Sequence, residues 1–383
     1  MHRLLTVGSG ALIALAGCAQ DHAITGLAGE RAAGISASAA AANDAAGGGG
    51  GGGAVYALMN QASGNIVAIY ARSADGSLTA AGGAATGGAG AGAGLGSQGA
   101  LALSDDGRWL FAVNAGSNDV SAFRVTAGGL SLTGRIGSGG IRPISLTVHG
   151  DLVYVLNAGG DGNISGFRIG ANGSLDAIPG STRALSGAAV GPAQVAFSPD
   201  ARWIVVTEKA TSRLDVYAVG SDGLATAATT TASAGGTPFG FAFGHRDEVF
   251  VSEAAGSASS YSIDGSGSLM TESGAVLTHQ GAPCWAVVTK NGKFGYTANA
   301  QGGSISAFAI DNEGAIRLVD QDGRTAVVGA GNIDLALSGN SRYLYQLTGN
   351  RSISGFRIEA DGHLTAVGNV GGLPPSTVGL VAR

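Results

Sequence analysis

Val153-Tyr154-Val155-Leu156-Asn157, then Ile164-Ser165-Gly166-Phe167, then the turn Asn172-Gly173, then Pro192-Ala193-Gln194-Val195-Ala196-Phe197-Ser198-Pro199-Asp200: this order of pieces decides the fold. The first piece is a run of aliphatic and aromatic residues that closes on a polar one. The second alternates apolar and small residues with a period of two and ends on an aromatic, which is a strand signal. The turn supplies the positive φ angles that a tight hairpin needs. The last piece is an apolar strand that follows a proline and ends in a polar turn.

Working outward, the same order recurs seven times along the chain. The first piece returns as Leu110-Phe111-Ala112-Val113-Asn114, Ile204-Val205-Val206-Thr207-Glu208 and Gly295-Tyr296-Thr297-Ala298-Asn299, among others. The second returns as Val120-Ser121-Ala122-Phe123, Leu214-Asp215-Val216-Tyr217 and Ile353-Ser354-Gly355-Phe356. Four strands repeat every 43–55 residues or so, the size of one propeller blade, and no helical spacing competes. The predicted fold is all-β: a seven-bladed β-propeller of four-stranded antiparallel blades over residues 54–383. The repeat opens on the second strand of a blade and ends on a first strand. Thr377 to Val381 is therefore expected to complete the sheet begun by Val55, so that the C-terminal strand closes the N-terminal blade and pairs the exposed edges.

The N-terminus reads as an address. Residues 1–17 hold a weakly basic start, a short apolar run and Leu15-Ala16-Gly17, followed by Cys18. The run is too short to span a bilayer. It resembles a bacterial lipoprotein signal, which implies cleavage after Gly17 and a lipid anchor on Cys18. Ala19-Gln20 lacks the aspartate of inner-membrane retention, so an outer-membrane lipoprotein facing the periplasm or the cell surface is expected. Residues 18–53 are rich in Ala and Gly and bury too little to order themselves, so they read as a disordered tether. As a coil this tether would reach on the order of 30 Å.

Composition narrows the partners. With 69 glycines in 383 residues, 12% charged residues and a net charge of -5, the chain shows no basic stripe, and no nucleic-acid partner is expected. The six histidines are scattered, no acidic calcium loop is present, and no G-x-S-x-G elbow occurs, so no cofactor or metal is expected. Cys18 and Cys284 could make at most one bridge. The chain reads as a monomer. The Gly/Ala segment from Gly82 to Gly96 reads as a flexible surface insertion.

Propeller geometry places the residues before each inner strand, and those ending each second strand, on one face, called the top here. They form a polar funnel around the axis that suits a small polar ligand such as a sugar acid or lactone. Arg142, Gln194, Lys209, Trp285, Asn157 and Asn299 are its candidate binding residues. Glu208 is the candidate acid or base, with Arg142 or Lys209 placed to stabilise an oxyanion.

Phe197-Ser198-Pro199-Asp200, Leu103-Ser104-Asp105-Asp106-Gly107-Arg108 and Ile164-Ser165-Gly166-Phe167-Arg168-Ile169 resemble the repeats of the seven-bladed propeller lactonase family. That family includes 6-phosphogluconolactonases and carboxymuconate-lactonising enzymes. The resemblance spans Ala54 to Arg383. It implies lactonase chemistry with Glu208 matching a family acid and Arg213 near a basic position. Family members typically carry His-Pro-His where this chain has Gly191-Pro192-Ala193. The resemblance thus leaves two expectations: an envelope enzyme acting on a lactone or sugar acid, or a non-catalytic propeller that binds a protein or glycan.

Overall fold

The computed structural model describes residues 52–244 and 248–383. Residues 1–17, read in sequence as a signal peptide, Cys18, read as the lipidation site, and almost all of the segment read as a tether lie outside the described residues. Gly53, assigned to the tether in sequence, already belongs to the first strand, Gly53–Leu58.

The described residues form seven antiparallel sheets and no helix. Blade 2 runs, from inner to outer strand, Leu101–Leu103, Trp109–Asn114, Asp119–Thr126 and Gly129–Gly137. Blade 3 begins with Pro143–His149 and Leu152–Asn157, blade 4 with Pro192–Phe197, Trp203–Glu208 and Arg213–Ala218, blade 5 with Pro238–Phe243 and Val249–Glu253. Blade 6 begins with Pro283–Val288 and Phe294–Asn299, and blade 7 with Asp334–Leu337 and Tyr343–Thr348. Blade 1 is built from both ends of the ring: its inner strand is Val378–Ala382, followed by Gly53–Leu58, Ile66–Arg72 and Leu78–Ala85. Val55 faces Ala382, Tyr56 faces Val381 and Ala57 faces Leu380. The closure expected from the repeat register is the one observed.

The second strands are buried on both faces, which is why they read as continuous apolar runs rather than alternations. At five of the seven junctions a blade packs on the next through an aromatic and a turn glycine. The hydroxyls of Tyr154, Tyr296 and Tyr345 donate to the carbonyls of Gly223, Gly362 and Gly76, each in the hairpin turn of the following blade. A Cβ at Gly173 would stand 1.9 Å from the Trp109 ring, and its φ is +84°, so only glycine fits.

One segment departs from the sequence expectation. The Gly/Ala insertion between blades 1 and 2 is not a free surface loop. Gly90 and Gly92 donate to the carbonyls of Gln61 and Asn60, Ala91 donates to the Asn60 amide oxygen, and the Asn60 amide donates to Ala93. Beyond it, Leu95, Ser97 and Gln98 are buried. The physical reason is that a run without side chains can lie flat on the top face. Its backbone groups are then paired by neighbouring loops instead of water.

Candidate functional site at the top of the axis

The residue that ends the second strand occupies an equivalent buried slot in six blades: Asn114, Asn157, Glu208, Glu253, Asn299 and Thr348. Each fastens the start of the third strand or the loop above it. Asn114 donates to Asp119 and Ser121, and Asn299 donates to Ser304 and Ser306. Asn157 donates to the Ser138 carbonyl and to Asn163, while its own amide oxygen, buried, has no hydrogen-bond partner. Glu253 accepts from Ser233, Gly235, Ser257 and Ser259. Asn157 and Asn299 thus stand in the blade clasps, with no side-chain surface at the axis.

Glu208 fills this slot in blade 4 and is fully buried. Its carboxylate accepts from the Ser186 N–H at 3.0 Å, the Ser186 hydroxyl at 2.5 Å and the Thr211 hydroxyl at 2.6 Å. Beside it lies Asp215, also fully buried, which accepts from Ser186 N–H at 3.0 Å and Thr230 at 2.6 Å. Burial, together with the hydrogen bond and charge of Glu208, pushes the Asp215 carboxyl up to about 7. Two carboxyl groups at one site cannot both ionise cheaply, so Asp215 keeps its proton up to near neutrality. Asp215 was not among the residues singled out in sequence. The signal was present: it stands in the repeat column that holds Ser121, Ser165, Ser259, Ser306 and Ser354.

Arg213 pairs through its backbone with Glu208 and is exposed at the rim. Lys209, the next residue along from Glu208, turns toward the axis. Its ammonium donates to the carbonyls of Gly96 and Pro192 and lies 5.0 Å from the centre of the Phe239 ring. Burial, and then the charge of Arg142, lower it to about 8. Arg142 is exposed and holds a φ of +55°, with its N–H bonded to the Asn118 side chain. These two cations are the charged residues that the structure brings together near the axis.

Gln194 and Trp285 do lie on the inner strands. Gln194 spends both ends of its amide on Phe241, donating at 2.9 Å and accepting at 2.8 Å. This stitches blade 4 to blade 5. Trp285 packs edge-on against Phe239 and donates its indole N–H to the Ser97 carbonyl at 3.0 Å. The neck of the funnel is therefore filled by this chain's own Leu95 to Gln98. Gln98 donates its backbone N–H to Ala193 in blade 4 and exchanges two hydrogen bonds with Ala286 in blade 6. Ser97 bonds Ile144 of blade 3 through its hydroxyl and Trp285 of blade 6 through its carbonyl, and blades three places apart in a ring of seven face each other across the axis.

The seven four-stranded sheets, closed by the pairing of the last strand with the first, make the chain a seven-bladed β-propeller. The family model described as "Lactonase, 7-bladed beta-propeller" matches residues 51–190 and 245–332, and the chain belongs to that family. The matched stretches leave out 191–244, which hold Glu208, Lys209, Arg213 and Asp215. Among solved structures, the chain is similar to the periplasmic gluconolactonase PpgL of Pseudomonas aeruginosa. That similarity has a TM-score of 0.67 at 18% identity, over 87% of this chain and 99% of that one. It is also similar to a Lactobacillus plantarum protein, with a TM-score of 0.71 at 18% identity over 86% and 99% of the two chains. A Bacteroides fragilis protein provisionally assigned as a 6-phosphogluconolactonase gives 0.68 at 18% identity over 86% and 98%. At these identities the likeness is one of fold. No curated protein matches the chain by sequence.

Proposed function

We propose that this lactonase-family propeller serves the cell envelope as a binding module. The observation that supports this reading is the sealing of Glu208, the acid that the resemblance in sequence singles out. It is fully buried, and its oxygens are taken by Ser186 and Thr211. The slot is one that other blades fill with Asn, Glu or Thr for fastening. The replacement of His-Pro-His by Gly191-Pro192-Ala193 removes the other groups that would move a proton. Wild type and Glu208→Gln should both open a panel of five- and six-membered lactones no faster than buffer. Turnover by wild type that Glu208→Gln abolishes would replace this reading with a catalytic one.

A second reading, hydrolysis or isomerisation of a lactone or sugar acid, draws on the convergence of Lys209 and Arg142 at the axis. An ammonium lowered to about 8 beside a guanidinium suits a carboxylate or a developing oxyanion. In either reading the envelope address comes from Cys18. Acyl chains there would anchor the protein through buried methylenes. The full-length chain should sediment with membranes, and Cys18→Ser should move it to the soluble fraction. A wild-type chain already soluble would remove the anchor.

A further inference from the structure

The axis of this propeller is built around a peptide. Five groups from blades 3, 4 and 6, along with Lys209, meet the segment Leu95–Gly99, which arrives from blade 1 on its way to blade 2. The Ser97 hydroxyl donates to Ile144 at 2.8 Å, and Trp285 donates to the Ser97 carbonyl at 3.0 Å. Gln98 N–H donates to Ala193 at 3.1 Å, and Leu146 N–H donates to Gly99 at 2.8 Å. The Lys209 ammonium caps the Gly96 carbonyl. The Gln98 side-chain amide pairs with the backbone of Ala286 in both directions, at 2.7 and 2.9 Å, as one strand pairs with another. A cradle exists for that amide: a Cβ on Gly240 of blade 5 would stand 2.1 Å from the Gln98 Oε1 atom. Glycine in the middle of an inner strand is otherwise a poor choice, and here it leaves the space the amide occupies.

We propose that the axis is a peptide-binding site for a short, bent small-residue segment bearing a side-chain amide, filled in cis by Leu95–Gln98. Inner-strand backbone donors and acceptors supply the bonds, and one pocket reads the glutamine. The tether of the cis ligand suits displacement. From Gly87 to Gly94 it carries only Gly and Ala, so it is held by backbone bonds to Asn60, Gln61 and Ser117 and by no large side chain of its own. Gly92, Gly96 and Gly99 take φ of +72°, +61° and +82° and let the chain turn into and out of the axis. This deepens the binding reading by naming the ligand chemistry, and it uses no turnover measurement.

The test has two arms. In the full-length wild type, hydrogen exchange should show the Gln98 and Leu146 amides, the two that bond the segment to the inner strands, opening at least tenfold faster than Val155 and Val205 in the second strands of blades 3 and 4. In L95G/S97G/Q98G, a capped peptide Ala-Gly-Leu-Gly-Ser-Gln-Gly added in trans should bind with a shift of Trp285 emission. The same peptide with Glu for Gln should bind at least tenfold more weakly, because a carboxylate offers no donor to the Ala286 carbonyl. If the triple variant does not fold, Q98A read by the same exchange and peptide titration takes its place. Plug amides that exchange only with global unfolding, or a folded variant that ignores the peptide, would overturn the proposal. Peptide uptake by a chain that also turns over a lactone would keep the axial site and remove only the non-catalytic reading.

Discussion

At the scale of single residues, blade 4 breaks the pattern of its neighbours at one point. The repeat places serine at the third-strand position that faces the clasp, yet blade 4 places Asp215 there, against Glu208. The consequence is a pH dependence of stability whose sign is fixed. The folded-state pKa of Asp215 is raised to about 7 from an ordinary carboxyl near 3.9. Its protonated form is the one that folding favours. The stability it brings is complete below about pH 4 and is lost as pH rises through about 7, on the order of a few kcal/mol in total. Asp215→Asn imitates the protonated group, keeps the shape, and does not titrate. It should melt several degrees above wild type at pH 8, with the lead shrinking toward pH 4. Melting curves that run parallel from pH 4 to pH 8 would show that Asp215 does not hold its proton toward neutrality. The clasp itself explains why Asn157, Asn299 and Glu208 looked like site residues in sequence. They are polar, they end strands, and they lie near the top, but they point into their own blade.

At the scale of elements, the hairpin turns were legible residue by residue. Asp75-Gly76, Asn172-Gly173, Asp222-Gly223 and Asp361-Gly362 all place glycine at positive φ, between +83° and +92°. What sequence did not disclose is that these glycines are also inter-blade contacts. Gly173 lies flat on Trp109 of the previous blade, and Gly362 lies on Phe294. Gly173→Ala should therefore cost more than the usual strain of a left-handed alanine, about 1–3 kcal/mol once the ring must shift. Gly107→Ala, in a turn of blade 2 at φ +67° with open space around it, should cost only the strain of a left-handed alanine, about 1 kcal/mol. Equal losses in the two variants would mean that backbone strain alone decides. The insertion was legible as composition and illegible as structure. A run of Gly and Ala carries no period, so nothing marks where it lies. Its path is set by bonds from Asn60, Gln61, Ser117 and Lys209, which sequence scatters over many residues. The two ends of the insertion differ for the same reason. Leu95 and Gln98 have side chains that can be buried, and they are the part that enters the core.

At the scale of the whole molecule, closure is the feature on which the ring depends. Seven sheets twisted around an axis leave two edges unless the chain returns to its start, and here the last described strand is the inner strand of blade 1. Val378–Ala382 pairs with Gly53–Leu58 and buries Val378 and Leu380, each worth about 1.5–3 kcal/mol of apolar transfer. It also satisfies a charge problem elsewhere. Asp334 of blade 7 is fully buried, its carboxyl held well above the usual range by burial, and the Leu380 N–H is one of its two hydrogen-bond donors. Ser376 adds a bond to the Met59 carbonyl at 2.7 Å. A chain ending at Pro375 would lose all of these and expose the edge of a strand that is apolar on both faces. Such an edge is a template for pairing with another chain. The truncated protein should accumulate in the insoluble fraction, and what remains soluble should melt at least ten degrees lower. A synthetic peptide of residues 376–383 added during refolding should recover soluble monomer, because the missing strand needs no covalent link to fill the sheet. Removal of Arg383 alone should cost far less, since it gives up one backbone bond to the Ala54 carbonyl and the contact of its own carbonyl with the Arg72 guanidinium. A truncated chain with normal yield and an unchanged melt would mean that the ring is held by blade-to-blade packing and that the two ends contribute nothing to it.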